Sequence, residues 1–583
     1  MSGKPRILNL FSLLFRKYSF FRVFSYVFII ALILTLVSVA TVSAKKIPVI
    51  SSVNPVVGQA GDTMVIRGSN FGQIRGTSFV EIGGNRITAS GYITWSENLI
   101  KLTIPSNVQD GLVIVTTKSG SSKPGFFANE AGIPVAVVKD VKASGAQITQ
   151  ISPAQGNIGT LLTISGSDFG ITRGKSRVLF TANAEKSSDL GSGQGELAQD
   201  FDFSTISASE SDYDYEFWSD SEIRVRIPDG AASGNIYVET EKGESNAVAV
   251  EITLQGGQKS YSLRKTYILE VDADIDSIDT KNGTSVTLRV PRPVTSSSQP
   301  MAQLTECVPE PVISDYKNTV IHQLKLKKAT SKSEKLKFSH NFALSTYAVH
   351  SEINEKLVKP YTQSTKNRIL FKNAVKQDFL VPSENEGVKN LAKEIVTLKS
   401  GKTETNPYLQ AKLIYNYILE NYKLREDLRK ADAPVLDLLK SKKGDAYDFA
   451  VFYTTLLRSL NIPAEPVAGV LVNSEIKTQS HWWVEFYIEG FGWFPVDIAL
   501  GMGLNYNSFR PVENTAEYYF GNLDGQHIAF SRGWNEIKQT MNAKSKIVYR
   551  PKTYAFQSIW EESSEGNVNY SSLWNTPVVL GLY

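Results

Sequence analysis

Three short stretches in the last third of the chain decide its fold: GDAYDFA at residues 444–450, HWWVEFY at 481–487 and GWFPVD at 492–497. After the first stretch, apolar residues recur at helical spacing until NIP at 461–463, which predicts a helix over 447–460. The other two stretches are rich in aromatic and β-branched residues and are separated by a glycine-containing turn, which predicts neighbouring strands. A helix followed by such strands indicates an α+β domain.

In this order, the three stretches resemble the nucleophile helix, the histidine strand and the aspartate strand of the transglutaminase-like superfamily. FGNLDGQHI at 520–528 is similar to a segment often found further downstream in that family. The resemblance implies a papain-like α+β domain over 400–533. It also implies a mechanism in which a cysteine at a helix N-terminus is activated by a histidine, here His481, which an aspartate, here Asp497, orients.

The position at which the family has its cysteine is occupied by Ala446, whose methyl group cannot attack a carbonyl. In a comparable triad, loss of the nucleophile lowers kcat by about 10⁶. We therefore expect a pseudoenzyme, with His481 and Asp497 as vestigial catalytic partners and His527 in a structural role. One alternative stays open, an active hydrolase or amide-transfer enzyme that uses a non-cysteine nucleophile or Cys307 brought in from another domain.

The expected role of such a domain is binding, because recognition does not require a nucleophile. The inherited cleft would hold a protein, a peptide, or a peptidoglycan or other glycan chain of the cell envelope. Candidate contacts are Trp482, Trp483 and Trp493, and the sequence indicates neither a cofactor nor a metal-ligand set. A second alternative is a purely structural surface protein whose cleft is filled by the indole of Trp482.

The first half of the chain contains a repeat. GSNFG at 68–72 recurs 98 residues later as GSDFG at 166–170, and short β-forming segments between turn signals surround both copies. The motif resembles the IPT/TIG family of immunoglobulin-like domains, which implies two all-β sandwiches, over 47–130 and 146–253. An acidic, serine-rich insertion at 185–216 is expected to be a solvated loop.

The N-terminus indicates the compartment. Residues 23–44 carry no charge and are long enough to span a bilayer, and the preceding residues include five basic and no acidic side chains. The stretch ends in Val-Ser-Ala at 42–44, the small residues typical of a signal-peptidase site. Residues 1–44 are therefore predicted to be a signal peptide cut near Ala44 or an uncut anchor, which places the rest of the chain outside the cytoplasm, in a bacterial envelope.

Composition excludes other classes of protein. The 583 residues carry a formal net charge of +4 from 62 basic and 58 acidic side chains, which is too balanced to indicate nucleic-acid binding. The single cysteine, Cys307, excludes an internal disulfide and a thiolate cluster, and no histidine lies near it in the sequence.

Residues 260–390 alternate β-type segments with turns and are predicted to form a β-rich connector domain. Within this region, LKLK at 324–327 and KLKF at 335–338 flank a polar turn, which predicts a hairpin. Residues 534–583 remain as a C-terminal extension to which the sequence assigns no role.

Overall fold

The structure is a computed structural model of the 583-residue chain. It describes residues 19–42, 46–106, 108, 111–129, 145–184, 202–254, 256–279, 284–326, 335–431, 433–540, 546–564 and 569–583. The chain divides into two compact units, 1–128 and 129–583. The described residues are mostly in β-sheets, with a smaller number of helices.

The first unit contains helix α1 (Ser19–Val42) and a β-sandwich. Counting only residues whose side chains the structure describes, no helix is both long and apolar enough to cross a membrane. The predicted signal segment at 1–44, with its cleavage site near Ala44, lies partly outside the described residues. It therefore stays a prediction.

Two sheets form the sandwich of the first unit, in the strand orders β1-β3-β7-β6 and β2-β10-β8-β4-β5, with β9 paired to β8. The strands are β1 (Val49–Asn54), β2 (Val57–Gly58), β3 (Thr63–Ser69), β4 (Phe79–Ile82), β5 (Asn85–Arg86), β6 (Tyr92–Trp95), β7 (Leu99–Thr103), β8 (Gly111–Thr117), β9 (Gly120–Ser121) and β10 (Gly125–Asn129). A short 3₁₀ helix, Ala89–Gly91, precedes β6.

The second unit begins with a sandwich that repeats this topology, β11-β13-β17-β16 and β12-β20-β18-β14-β15, with β19 paired to β18. The strands are β11 (Gln147–Ser152), β12 (Gln155–Gly156), β13 (Leu161–Ser167), β14 (Arg177–Ala182), β15 (Thr205–Ser207), β16 (Tyr215–Trp218), β17 (Glu222–Arg226), β18 (Ala231–Thr240), β19 (Gly243–Glu244) and β20 (Val248–Ile252). The repeat in the sequence is thus a repeat of structure.

The repeated turn has the same construction in both sandwiches. Phe71 and Phe169 are each 1% exposed in the core below the turn, and their carbonyl oxygens accept hydrogen bonds from the indole N–H of Trp95 and Trp218. The first glycine of the motif is required by close packing, because a Cβ on Gly166 would lie 1.9 Å from a backbone oxygen of the neighbouring strand.

The expected solvated loop at 185–216 is wrong for its described part, 202–216. β15 pairs with β14, and Asp214 is only 3% exposed. The neighbouring Asp212 forms an ion pair of 3.0 Å with Arg532, far along the chain. Asp212 thus ties the described part of the insertion to a later part of the second unit. Residues 185–201 lie outside the described residues.

Long strands follow the second sandwich. They are β21 (Gly257–Asp279), β22 (Thr284–Pro291), β23 (Met301–Val308), β24 (Ile313–Tyr316), β25 (Thr319–Leu326) and β26 (Leu336–Ile353). The predicted hairpin in this region is wrong, because β25 pairs with β22 and β24 whereas β26 pairs with β21 and β23 in a different sheet. Leu326 and Phe338 belong to one buried cluster between these sheets, so the alternating apolar residues face each other across a core.

A region of mixed helix and sheet comes next. Its helices are α2 (Gln363–Asn367), α3 (Ile369–Val375), α4 (Glu386–Ile395), α5 (Pro407–Asn421), α6 (Leu438–Ser441), α7 (Ala446–Ser459), α8 (Ile498–Gly501) and α9 (Thr515–Tyr518), with a 3₁₀ turn at Val435–Asp437. Its strands are β27 (Lys423–Leu424), β28 (Lys443–Gly444), β29 (Ala464–Val472), β30 (Thr478–Ile488), β31 (Gly492–Val496) and β32 (His527–Arg532). The last four form one antiparallel sheet, β31-β30-β29-β32, and α7 packs on it with its apolar side chains buried.

The C-terminal extension returns to the long strands. Its strands are β33 (Lys546–Val548), β34 (Glu561–Ser563), β35 (Asn569–Trp574) and β36 (Val578–Leu582). β35 and β36 pair with β21, and β34 joins β22 to β33. Residues 260–353 and the extension therefore build one pair of five-stranded sheets, and the chain between them, which contains α7 and its sheet, is an insertion.

Candidate functional site

Helix α7 begins where the sequence predicts the reactive position. Asp445 is its N-cap, and Ala446 is its first residue, 7% exposed. The carboxylate of Asp445 accepts the backbone N–H of Asp448 at 2.9 Å, and that of Asp448 accepts the backbone N–H of Asp445 at 3.0 Å. This capping box satisfies N–H groups that a helix start otherwise leaves unpaired.

Two basic side chains neutralise the capping carboxylates. Nε of Arg429 donates to Asp448 at 2.6 Å, and its backbone N–H donates to Asp445 at 2.6 Å. Nζ of Lys552 lies 2.7 Å from Asp445 and 3.4 Å from Asp448. We call Arg429, Asp445, Asp448 and Lys552 the helix-start ion cluster; both of its carboxylates are fully buried.

The C-terminal extension covers the start of α7. The ammonium of Lys552 lies 5.1 Å from the ring centroid of Tyr447, and Phe556 packs against the same ring at 5.9 Å. The carbonyl of Thr553 accepts the indole N–H of Trp482 at 3.1 Å. Residues next to Ala446 therefore contact the returning chain rather than solvent.

His481 and Asp497 meet as the sequence predicts. His481 Nε2 donates to Asp497 Oδ2 at 2.5 Å, and the two side chains are 1% and 0% exposed. Asp497 is also the N-cap of α8, since its Oδ1 accepts the backbone N–H of Leu500 at 2.9 Å. Because the bond to Asp497 uses Nε2, Nδ1 is the nitrogen of His481 that remains for proton exchange with a nucleophile.

His527 adds a second imidazole to this pair. Its Nε2 donates to the same Oδ2 of Asp497 at 3.1 Å, and its Nδ1 donates to Asp524 at 2.8 Å. Both ring nitrogens therefore face carboxylates, an arrangement that favours the imidazolium form. The Asp524-x-x-His527 spacing is the sequence signal from which the pairing with Asp524 could have been predicted; no local signal points to the sharing of Asp497.

The charges in this group stabilise one another. Burial alone would raise the pKa of Asp497, but the charge and hydrogen bond of His481, with those of His527, hold it well below its usual range. Burial alone would lower the pKa of His527, but Asp524 and Asp497 raise it to about 10. Asp497 is thus an anion and His527 a cation at neutral pH.

The ligand atoms of His481, Asp497 and His527 all lie within 4.8 Å of one another, close enough to surround a metal ion. However, the shared oxygen of Asp497 is already bonded to both Nε2 atoms, and the positive charge on His527 opposes a cation. The arrangement favours a closed hydrogen-bonded network over metal coordination.

The three candidate tryptophans are buried, and this corrects their expected role as ligand contacts. Trp482, Trp483 and Trp493 are 1%, 3% and 5% exposed. The indole of Trp493 donates to Asp212 at 3.2 Å and stacks under the guanidinium of Arg532, 4.0 Å from the ring centroid. Each side chain packs in the core or against another part of the second unit, so it offers no open face to a ligand.

A small cavity lies beside His527 and is also lined by Trp483, Tyr347 and Arg532, among others. Its volume of about 10 Å³ is at the lower limit for one ordered water. The indole N–H of Trp483 is buried without a hydrogen-bond partner and belongs to this lining. The cavity can accommodate a water there, but not a peptide or sugar unit.

Comparison with known proteins identifies two kinds of domain. Residues 390–498 match the family model of the transglutaminase-like superfamily core, and residues 48–128 and 146–267 match that of the IPT/TIG domain. The chain thus contains a transglutaminase-like core domain and IPT/TIG domains, as the motifs predict.

Individual relatives match over shorter lengths. An uncharacterized protein of Haemophilus influenzae is 26% identical over 184 residues, which cover 27% of this chain and 50% of that protein. A cyclomaltodextrin glucanotransferase of Niallia circulans is 29% identical over 121 residues, 20% of this chain and 17% of the enzyme. The chain therefore spans half or less of the length of these relatives.

Among solved structures, a candidate cysteine protease from Cytophaga hutchinsonii is similar over 55% of this chain and 93% of its own, with 16% identity and a TM-score of 0.35. This TM-score is too low to indicate a shared overall fold.

Proposed function

We propose that this protein is a non-catalytic protein of the bacterial envelope, in which the transglutaminase-like domain is retained as a structural unit. The observation that carries the proposal is the residue at the start of α7. Ala446 is the first residue of this helix, and by the resemblance it holds the position of the family's nucleophile, while His481 and Asp497 share a hydrogen bond of 2.5 Å. Without a nucleophilic side chain beside it, a histidine base cannot form the covalent acyl-enzyme on which this mechanism depends.

Burial of the site supports a structural role over binding in the inherited cleft. The start of α7 is closed by the helix-start ion cluster and by the residues that follow Lys552, and the indole of Trp482 is held by Thr553. An extended peptide or glycan would have to displace buried ion pairs, and leaving one charge of such a pair unpaired costs several kcal/mol. Filling of the cleft by Trp482 and the returning chain favours the structural alternative.

Location outside the cytoplasm is part of the proposal and rests on the sequence. The uncharged stretch at 23–44 comes after five basic residues, the pattern that holds an N-terminus in the cytoplasm and exports the rest of the chain. Whether export ends in cleavage near Ala44 or in anchoring is decided by the mass of the mature N-terminus.

A transamidation assay tests the proposal. The purified full chain is incubated with a glutamine-containing peptide and a fluorescent primary amine, and the His481→Gln variant serves as the control for background. We expect the same background rate for both proteins. A wild-type rate well above that of His481→Gln would show that another group replaces the missing thiol and would overturn the proposal.

A second candidate function is carbohydrate binding by the IPT/TIG domains. It is supported by the similarity of part of the chain to cyclomaltodextrin glucanotransferases, which reaches 38% identity over 74 residues with the enzyme of Paenibacillus macerans. The test is isothermal titration of the full chain with β-cyclodextrin and with maltoheptaose, using cellohexaose as the control. Heat with the first two sugars alone would support this function, and no heat with any of them would exclude it for α-glucans.

A further inference from the structure

A second cluster of metal-ligand side chains lies far from helix α7, between the two five-stranded sheets. Cys307 on β23 and His340 on β26 are directly opposite each other in the antiparallel register of one sheet. His322 comes from β25, which belongs to the other sheet. The fold therefore brings together one thiol and two imidazoles. Along the chain, Cys307 and His322 are 15 residues apart, and His322 and His340 are 18 residues apart.

The donor atoms of these side chains converge. His322 Nε2 lies 2.8 Å from His340 Nε2 and 3.8 Å from Cys307 Sγ, and the three donor atoms all lie within 4.8 Å of one another. Around a tetrahedral Zn²⁺ ion, bond lengths of about 2.0–2.3 Å place two nitrogens roughly 3.3 Å apart and nitrogen and sulfur roughly 3.5 Å apart. The distances of 2.8 Å and 3.8 Å thus lie within about half an ångström of those that a tetrahedral zinc site requires.

The orientation of His340 suits a metal ligand. Its Nδ1–H donates to the backbone oxygen of Val271 at 2.8 Å, on the strand next to β26. This bond fixes the ring and leaves the lone pair of Nε2 pointing toward His322 and Cys307. A hydrogen bond from the distal ring nitrogen to a carbonyl is the usual support for a metal-bound histidine.

Zinc binding requires the ring nitrogens that face the ion to carry lone pairs and the thiol to lose its proton. A divalent cation held between His322 and His340 would therefore displace the proton of Cys307 and stabilise the thiolate.

We propose that Cys307, His322 and His340 bind one Zn²⁺ ion that ties the two sheets together. Two neutral imidazoles and one thiolate form a donor set that zinc prefers over Mg²⁺ or Ca²⁺, which take oxygen ligands. Because Cys307 is only partly buried, a water molecule can complete the tetrahedron on its side. The ion would link β23 and β26 in one sheet to β25 in the other.

Metal titration of the full chain tests the proposal. The protein is stripped with a chelator and titrated with Co²⁺, whose absorption reports both tetrahedral geometry and a thiolate ligand, and bound Zn²⁺ is then counted by elemental analysis. We expect one equivalent of metal, a thiolate-to-Co²⁺ charge-transfer band, and displacement of Co²⁺ by Zn²⁺. The band also separates this site from the sulfur-free group around Asp497.

Variants decide between the outcomes. Cys307→Ser should abolish the charge-transfer band and weaken Zn²⁺ binding at least tenfold, and His340→Gln should weaken it similarly. His350→Gln is the matched control, since His350 lies on the same strand with its side chain 57% exposed and should leave binding unchanged. Zn²⁺ should also raise the Tm of the wild type and not that of Cys307→Ser. Absence of the band in the wild type, or its persistence in Cys307→Ser, would overturn the proposal.

Discussion

Replacing Lys552 by methionine tests whether the C-terminal extension holds the start of helix α7 closed. Methionine keeps most of the length of the side chain but removes the ammonium that lies 2.7 Å from Asp445. The lysine side chain is 3% exposed and the aspartate 0%, so the substitution leaves a buried carboxylate with one partner fewer.

The expected cost depends on the partners that Asp445 retains. Breaking a buried ion pair by removing one partner costs about 3–5 kcal/mol. Asp445 keeps two backbone N–H donors, from Asp448 at 2.9 Å and Arg429 at 2.6 Å, and Asp448 keeps the guanidinium of Arg429. We therefore expect the lower end of that range, about 3 kcal/mol.

Hydrogen exchange measured by mass spectrometry is the suitable assay, because a multidomain chain does not unfold in one transition and local exchange reports local opening. The opening free energy of peptides from α7 should fall by about 3 kcal/mol in Lys552→Met. Lys477→Met is the control, since its ion pair with Glu475 is exposed, at 74% and 60%, and its loss should leave exchange in α7 unchanged. A change in α7 below about 1 kcal/mol would refute the reasoning.

Three further predictions concern other parts of the molecule. Because the pKa of His527 is raised to about 10, its stabilising charge is fully present below about pH 6.5 and is lost as the pH rises through 10. In thermal unfolding at a series of pH values, the apparent midpoint of the wild type should therefore fall over this range, and His527→Gln should remove the fall. Equal pH profiles for the two proteins would contradict the assignment. Gly166→Ala should destabilise the second sandwich by more than about 2 kcal/mol, measured by hydrogen exchange, because the new Cβ would lie 1.9 Å from the backbone oxygen of Gln147. Gly256→Ala is the control and should be nearly neutral, since there is open space around Gly256. In Ala446→Cys, the new thiol should titrate below the usual value of about 8.5 and react with iodoacetamide faster than in Ala446→Cys/His481→Gln, and equal rates would show that His481 does not face this position.

Local features of the fold were predictable from the sequence. The GSNFG and GSDFG turns depend on residues a few positions apart, and both sandwiches contain them. Helix α7 was predicted over 447–460 and runs from Ala446 to Ser459, because its cap and apolar spacing are local signals. The pairing of His481 with Asp497 was also predictable, through the resemblance, since His481 lies on β30 and Asp497 directly follows β31, the strand joined to it by a short turn.

Contacts between distant segments were not predictable from local patterns. The strands β35 and β36 join β21 across some 300 residues, and Lys552 reaches Asp445 over 107 positions. The alternation of apolar residues within one strand shows which face of that strand is buried. It does not show which distant strand lies beside it.

Cys307 illustrates the same limit. No local pattern connected it with a histidine, because its partners lie on two other strands, one of them in the opposite sheet. The predicted hairpin would have placed β25 beside β26, whereas the structure places them in facing layers. Only that layering brings His322 to His340 and Cys307.

The most direct test of the central claim, that this chain has no acyl-accepting nucleophile, is the intact mass of the full-length protein after exposure to an activated acyl donor. With a glutamyl-peptide aryl ester, we predict that the wild type gains no more acyl mass than the His481→Gln variant. A stoichiometric acyl adduct on the wild type that is absent from His481→Gln would contradict the account, whichever side chain carries it.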